Sequence, residues 1–327
     1  MSFQYEPFLN NWLAYDSITD PFANRVNYTV NLDVSFFHSL RYDSDSTKSY
    51  RIEAALSAYS QLGSNPVLCL SGGIDSQVMI QCWKEAGIKF DVATMVFNDS
   101  FNDQDVDHAR LYCNVNNIPL IEIPINVISF LTRESYAVGE KYKCTSPQFA
   151  VHYQMFDILR SMGYTGICCG GNTFAKSSTG WGPAPSVAQS NYIEYANMNS
   201  YPVIGNFLGH DPRVCWAIAL LTPSINLDWY HNPDLSKSFE IRYETKIKGY
   251  ENFGFNVMPQ KQKYTGFEKV KYYFEKKHND GWAFEKLFRL PLQKKYGSAI
   301  GNLILDHEQE SCLNDLYYKI ICSSNAS

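Results

Sequence analysis

The stretch Val67-Leu-Cys-Leu-Ser71-Gly72-Gly73-Ile74-Asp75-Ser76-Gln-Val-Met-Ile80 decides how this chain folds. A short apolar run, Val67–Leu70, gives way to a glycine pair, and from Ser76 to Ala86 the residues follow helical spacing. A buried strand that turns through Ser-Gly-Gly into a helix has a mechanical meaning. The glycines let the backbone approach a ligand closely. The helix start turns free N–H groups and a positive dipole end toward an anion. Ser71 and Ser76 add hydroxyl donors. Asp75 cannot attract a phosphate, so a carboxylate here implies either a bound Mg²⁺ or an orienting hydrogen bond. Other phosphate loops are excluded: the chain has no Gly-Lys dipeptide and no G-x-G-x-x-G.

Working outward, Gly63-Ser-Asn-Pro66 breaks a helix expected over Ser49–Leu62, and Tyr28–Val34 alternates as a strand does. Downstream the pattern predicts a strand at Phe90–Phe97, a helix at Asp103–Asn116 and a strand at Leu120–Ile125. A helix at Pro147–Met162 and a buried strand at Gly166–Cys169 follow. Strands alternating with helices predict an α/β fold, a doubly wound parallel sheet, with ligands bound outside the carboxyl ends of its strands. Residues 71–76, 97–102 and 170–176 all fall there. Beyond residue 177 Gly, Pro, Ser and Asn dominate, with one apolar helix expected at Val214–Leu221 and a basic, aromatic stretch over 237–278. Three parts are expected: an N-terminal extension (1–65), the phosphate-loop core (66–180) and a mostly helical C-terminal region (181–327).

Composition narrows the class. Of 327 residues, 45% are hydrophobic, with 23 Tyr and 20 Phe, enough for a packed core. A net charge of −5 offers no broad attraction to nucleic acid or to an anionic membrane. No apolar run approaches membrane-spanning length and no signal peptide opens the chain, so a cytoplasmic protein is expected. The nine cysteines form no C-x-x-C pair, which suits reduced thiols better than a disulfide framework or a zinc site.

The hexapeptide Ser71–Ser76 resembles the signature of the PP-loop ATP pyrophosphatases, which include asparagine synthetases, NAD synthetases, QueC-like deazaguanine synthases and tRNA-thiolating enzymes. The resemblance spans roughly residues 50–176. It implies that Ser71, Gly72, Gly73, Ile74, Asp75 and Ser76 hold the β,γ-pyrophosphate of ATP, with Mg²⁺ on Asp75. A substrate oxygen then attacks the α-phosphorus, and a nitrogen or sulfur nucleophile displaces AMP. By the same resemblance Phe97 and Asn98 lie beside the adenine, and Gly170 and Gly171 flank the nucleotide. A small-molecule or modified-base substrate is implied. Amide or other C–N bond formation ranks first, sulfur transfer to tRNA or a small molecule second, and a non-catalytic nucleotide-binding interaction protein third. Self-association into a homo-oligomer stays open.

Other features bear on the substrate. A basic side chain reaching the α-phosphate would complete the site, with Lys143, Lys176, Lys261 and Lys263 as candidates. Cys144, set among lysines before a helix, is the candidate nucleophile, although an intracellular cysteine there is more often packing. Asp103, Asp105 and Asp107 alternate as in a calcium loop, yet they lack its glycine and final glutamate, and a helix start is the simpler account. The four-cysteine zinc cluster of QueC-like enzymes and the glutaminase domain of asparagine synthetases are both missing. The stretch Lys261–Lys277 is expected to be an amphipathic helix before it is a nucleic-acid contact, and Asp211-Pro212 a helix cap.

Overall fold

A computed structural model describes residues 13–15, 28–30, 32–142, 144, 147–171, 174–177, 180–183, 187–222, 235–260 and 266–278. In chain order the elements are β1 (Leu13–Tyr15), β2 (Tyr28–Val30), α1 (Val34–Ser39), α2 (Ser44–Leu62), β3 (Pro66–Cys69), α3 (Ile74–Glu85) and β4 (Asp91–Phe97). Then come α4 (Asp103–Val115), β5 (Leu120–Ile125), α5 (Val127–Arg133), α6 (Ser135–Lys141), α7 (Pro147–Ser161) and β6 (Gly166–Cys169). The last are β7 (Phe174–Ser177), β8 (Gly180–Pro183), α8 (Val187–Asn199), β9 (Val203–Ile204), α9 (Pro212–Leu221), α10 (Leu235–Asn252) and α11 (Gly266–His278).

The central sheet runs β5-β4-β3-β6-β9, all parallel. β1 pairs with β2, and β7 with β8, as separate antiparallel ribbons. Because side chains alternate along a strand, β3 feeds two cores. Val67 and Cys69 face one core, built with α5, α7, α8 and α11. Leu68 and Leu70 face the other, built with α2, α3, α4, α9 and α10. Helices therefore cover both faces, as a parallel sheet requires. The strands expected from sequence lie where the apolar runs put them, and β5 and β6 match residue for residue.

The differences have local causes. Helix α2 starts at Ser44, five residues before the expected Ser49, because Asp43 caps it by accepting from Ser46 N at 2.9 Å. Its Ala54, Ala55, Ala58 and Leu62 are fully buried, and small side chains let it lie close to the sheet. Strand β2 stops at Val30, and Asp33 then caps α1 through Phe36 N at 3.0 Å. Between residues 187 and 204, where turn-forming composition dominates, α8 buries Tyr192, Tyr195 and Ala196 and β9 extends the sheet. Asp211 caps α9 with Pro212 in its first turn, as the sequence predicts. Helix α11 occupies part of the basic run, burying Val270 and Phe274 and leaving Tyr272 exposed.

After α10 a strap, residues 253–260, runs along helices α3 and α4. Gln81 and Gln77, one turn apart on α3, each bond a strap residue through both ends of the side-chain amide. Gln81 takes Asn256 (3.0 Å to its N, 2.8 Å to its O) and Gln77 takes Met258 (2.8 Å and 2.9 Å). Two side chains thus do the work of a neighbouring strand's backbone. His108 on α4 adds a 2.7 Å bond to Met258 O.

Candidate active site

Everything converges at the carboxyl end of β3. Gly72 takes φ +76°, a conformation that a side chain resists, and its Cα faces the backbone of Asp105 in the first turn of α4. Gly73 is the N-cap of α3 and brings no side chain to cap it, which leaves the helix start to a ligand. Ser76 braces the turn, donating to Gly73 O at 2.8 Å and accepting from Ser71 N at 3.3 Å. From the neighbouring strand Gly170 presses onto the same turn: a Cβ there would stand 2.7 Å from Ser76 N.

Asp75 does not face the cavity alone. Lys246 of α10 contacts both of its carboxylate oxygens, at 2.6 Å and 2.8 Å, and the Tyr250 hydroxyl donates to it as well. Both side chains of the ion pair are largely buried, which strengthens the charge interaction. Burial first, and the Asp75 charge second, push the Tyr250 phenol well above its ordinary range, so it stays a donor. Gln260, at the end of the strap, donates to Gly72 O (3.0 Å) and to Asp105 (3.2 Å), while its own carbonyl oxygen is buried without a partner.

These groups open onto a cavity of about 430 Å³. Its polar end comprises Ser71, Gly73, Asp75, Ser76, Asp105 and Gln260. Its floor is Cys69 and Cys169, in-register neighbours on β3 and β6. The hydrogen bond to Cys169, then burial, push the Cys69 thiol well above its ordinary range. The far end is largely aromatic and carries no ionised side chain: Met95, Phe97, Phe149, His152, Met155, Phe156, Tyr192 and Phe267. Asn102 holds the rim by accepting from Phe97 N (2.7 Å) and donating to Met95 O (2.8 Å).

The sequence-derived candidates are distributed as follows. Ser71, Gly73, Asp75, Ser76, Phe97, Gly170 and Gly171 line the cavity, and Gly72 and Ile74 complete the same turn. Asn98 lies just past the rim, exposed in a single 3₁₀ turn. Cys144 is fully buried in the α7–α8 core, where it hydrogen-bonds Tyr153. Lys143, Lys261 and Lys263 lie outside the described residues, as does the side chain of Lys176 on β7. Lys246, Tyr250, Gln260, Asn102 and His152 escaped the sequence reading. Only chain distance hid Lys246, which meets a carboxylate 171 positions away. The three alternating aspartates part company: Asp103 and Asp105 sit in the first turn of α4, and Asp107 pairs with Arg110 at 2.9 Å. Among the described residues no three His, Cys, Asp or Glu side chains gather as a metal site, and no helix is long and apolar enough to cross a membrane.

No family model matches this chain, and no curated protein does. Solved structures do. The U34-tRNA thiolase NcsA from Methanococcus maripaludis shares 13% identity over 84% of this chain and 86% of its own, with a TM-score of 0.32. NMN synthetase from Francisella tularensis shares 15% over 74% and 97%, with a TM-score of 0.30. NH3-dependent NAD synthetase from Campylobacter jejuni shares 15% over 69% and 99%, also at 0.30. In loop sequence and parallel-sheet architecture the chain is similar to the PP-loop ATP pyrophosphatases.

Proposed function

We propose that this chain is an enzyme that binds ATP with Mg²⁺ in the 430 Å³ cavity, adenylates a small-molecule substrate with release of pyrophosphate, and forms a C–N bond with release of AMP. One observation carries the reading: an uncapped helix start on a glycine turn opens onto a cavity whose other end is aromatic and uncharged. Such a cavity suits a ligand with an anion at one end and a flat ring at the other.

Lys246 is the cation for this site. Asp75, itself braced by the Tyr250 hydroxyl, holds its ammonium beside the loop, from where it would meet charge developing on the phosphate oxygens. Asp75 and Asp105 both line the polar end, and with the unpartnered Gln260 oxygen they are the hard oxygen donors that would hold Mg²⁺. Magnesium supplies charge neutralisation of the leaving pyrophosphate. The residues themselves hold the phosphates in line and exclude water from the adenylate. Substrate carboxylate attacks the α-phosphorus, the bond to the bridging oxygen breaks, and pyrophosphate departs. An amine nitrogen then attacks the acyl carbon, and AMP leaves with the former carboxylate oxygen. The candidate thiol, Cys144, lies buried in the α7–α8 core and is not among the residues that line the cavity, which favours nitrogen over sulfur as the incoming nucleophile.

The test incubates the protein with ATP, Mg²⁺, ammonium and a panel of carboxylic acids, then separates the nucleotides. AMP and pyrophosphate are expected. ADP and orthophosphate would refute the mechanism.

A further inference from the structure

We propose that His152 selects the base, its Nε2–H donating a hydrogen bond to a ring nitrogen of the adenine seated in the aromatic end of the cavity. The proposal rests on the nucleotide reading above and goes beyond it, because nothing in the loop specifies which base ATP's partner site accepts.

Helix α7 carries Phe149, His152 and Phe156 at helical spacing, so the three share the face that lines the cavity. The imidazole stacks on Tyr192 (ring centroids 5.9 Å apart, planes at 21°). Phe149 and Phe267 meet it edge-on at 5.7 Å and 5.9 Å. Three rings therefore fix its plane, and Phe97, Met155 and Phe156 line the cavity with it. In that largely aromatic wall, which Thr94 and Gln148 also line, the imidazole is a polar group held in a fixed plane, and it constrains what a flat ligand can present.

The proton on that atom follows from its neighbour. His152 Nδ1 lies 2.5 Å from the Tyr192 hydroxyl. Burial pushes His152 down to about 4, so at neutral pH the ring is uncharged and carries one N–H. Burial likewise pushes Tyr192 well above its ordinary range, so the phenol keeps its hydrogen. Among the described residues His152 is the hydroxyl's hydrogen-bond partner. Were Nδ1 protonated, the buried phenol hydrogen would have no acceptor, which is costly. Tyr192 therefore donates to Nδ1, and the single imidazole proton sits on Nε2, the nitrogen left for a ligand. Adenine offers N1, N3 and N7 as acceptors, and a donor in a largely aromatic wall rejects a ring that lacks the matching nitrogen.

The experiment measures dissociation constants for ATP and its 1-deaza, 3-deaza and 7-deaza analogues, on the full chain and on His152→Phe and His152→Gln. One analogue is expected to bind the wild type about tenfold more weakly than ATP, the cost of one unmatched acceptor–donor pair. In His152→Phe that ratio should fall to about one, since the donor is gone. His152→Gln, whose amide can donate, should restore part of it. Each ratio is taken within one protein, so partial misfolding of a variant cancels. Identical ratios in wild type and His152→Phe would overturn the role of His152 while leaving the loop reading intact. A wild type that binds none of the four nucleotides would instead refute the nucleotide reading itself.

Discussion

Replacing Gly170 with alanine tests whether the loop geometry, and not merely its composition, makes the site. The substitution adds one methyl group and leaves every side chain of the loop unchanged. That methyl would lie 2.7 Å from Ser76 N and 2.8 Å from the carbonyl carbon and oxygen of Asp75. All three are backbone atoms at the helix start, so no flexible side chain can yield. Ordinary carbon contacts begin near ~3.5 Å, so β6 and the loop must separate by roughly 0.7 Å. Overpacking of this kind costs about 1–3 kcal/mol of stability. The functional cost is separate. A displacement of that size takes N–H···O bonds from about 2.9 Å to about 3.5 Å, near the limit at which they count. Losing two such bonds to phosphate predicts a Kd for ATP raised about 30-fold or more, at roughly 1 kcal/mol each. Isothermal titration with ATP and Mg²⁺ gives the Kd, and urea denaturation of the free protein gives the stability. Gly170→Ala protein that binds ATP as tightly as wild type would show that this helix start is not the phosphate site.

Other expectations follow from the same contacts. Lys246→Met removes the ammonium from the largely buried Asp75 carboxylate, and should cost about 3 kcal/mol by urea denaturation. It should also lower the rate of AMP formation at least tenfold in a quenched-flow assay, and a variant with unaltered rate would remove Lys246 from the mechanism. His152 has a folded pKa of about 4, below the unfolded value near ~6.5, so its contribution to stability is complete above ~6.5 and lost as pH falls toward 4. Wild-type protein should therefore lose about 3 kcal/mol more than His152→Phe between pH 7 and pH 4, and parallel pH profiles would contradict this. Asp211→Ala removes the cap on α9 and a partner of Arg213, and should lower stability by about 1–2 kcal/mol while leaving the Kd for ATP unchanged.

The sheet was legible in the sequence because its signals are local. Val67–Leu70 and Gly166–Cys169 are apolar runs bounded by glycine or proline, and nothing distant is needed to read them. The phosphate loop was legible for the same reason. What escaped is non-local or low in contrast. Lys246 is one of several lysines in a mixed helix, and only the folded chain sets it against Asp75. Helix α8 reads Val-Ala-Gln-Ser-Asn-Tyr-Ile-Glu-Tyr-Ala-Asn-Met-Asn, where buried tyrosines alternate with polar residues and no apolar stripe stands out. His152 resembles any histidine on a helix until Tyr192, forty positions on, comes to lie over it. Asn102 reads as part of an acidic helix start, yet its side chain is spent on the backbone of β4.

The strap that Gln77 and Gln81 hold against α3 has a thermodynamic consequence. Its last residue, Gln260, touches the glycine turn, and beyond it Phe267 stacks edge-on against Phe97 at 5.2 Å. Occupancy of the cavity and docking of the strap are therefore linked functions, each raising the other's equilibrium constant by the same factor. Amide hydrogens of residues 256–260 should exchange with solvent more slowly when nucleotide is bound, and a strap loosened by Gln77→Ala should weaken ATP binding without touching ATP.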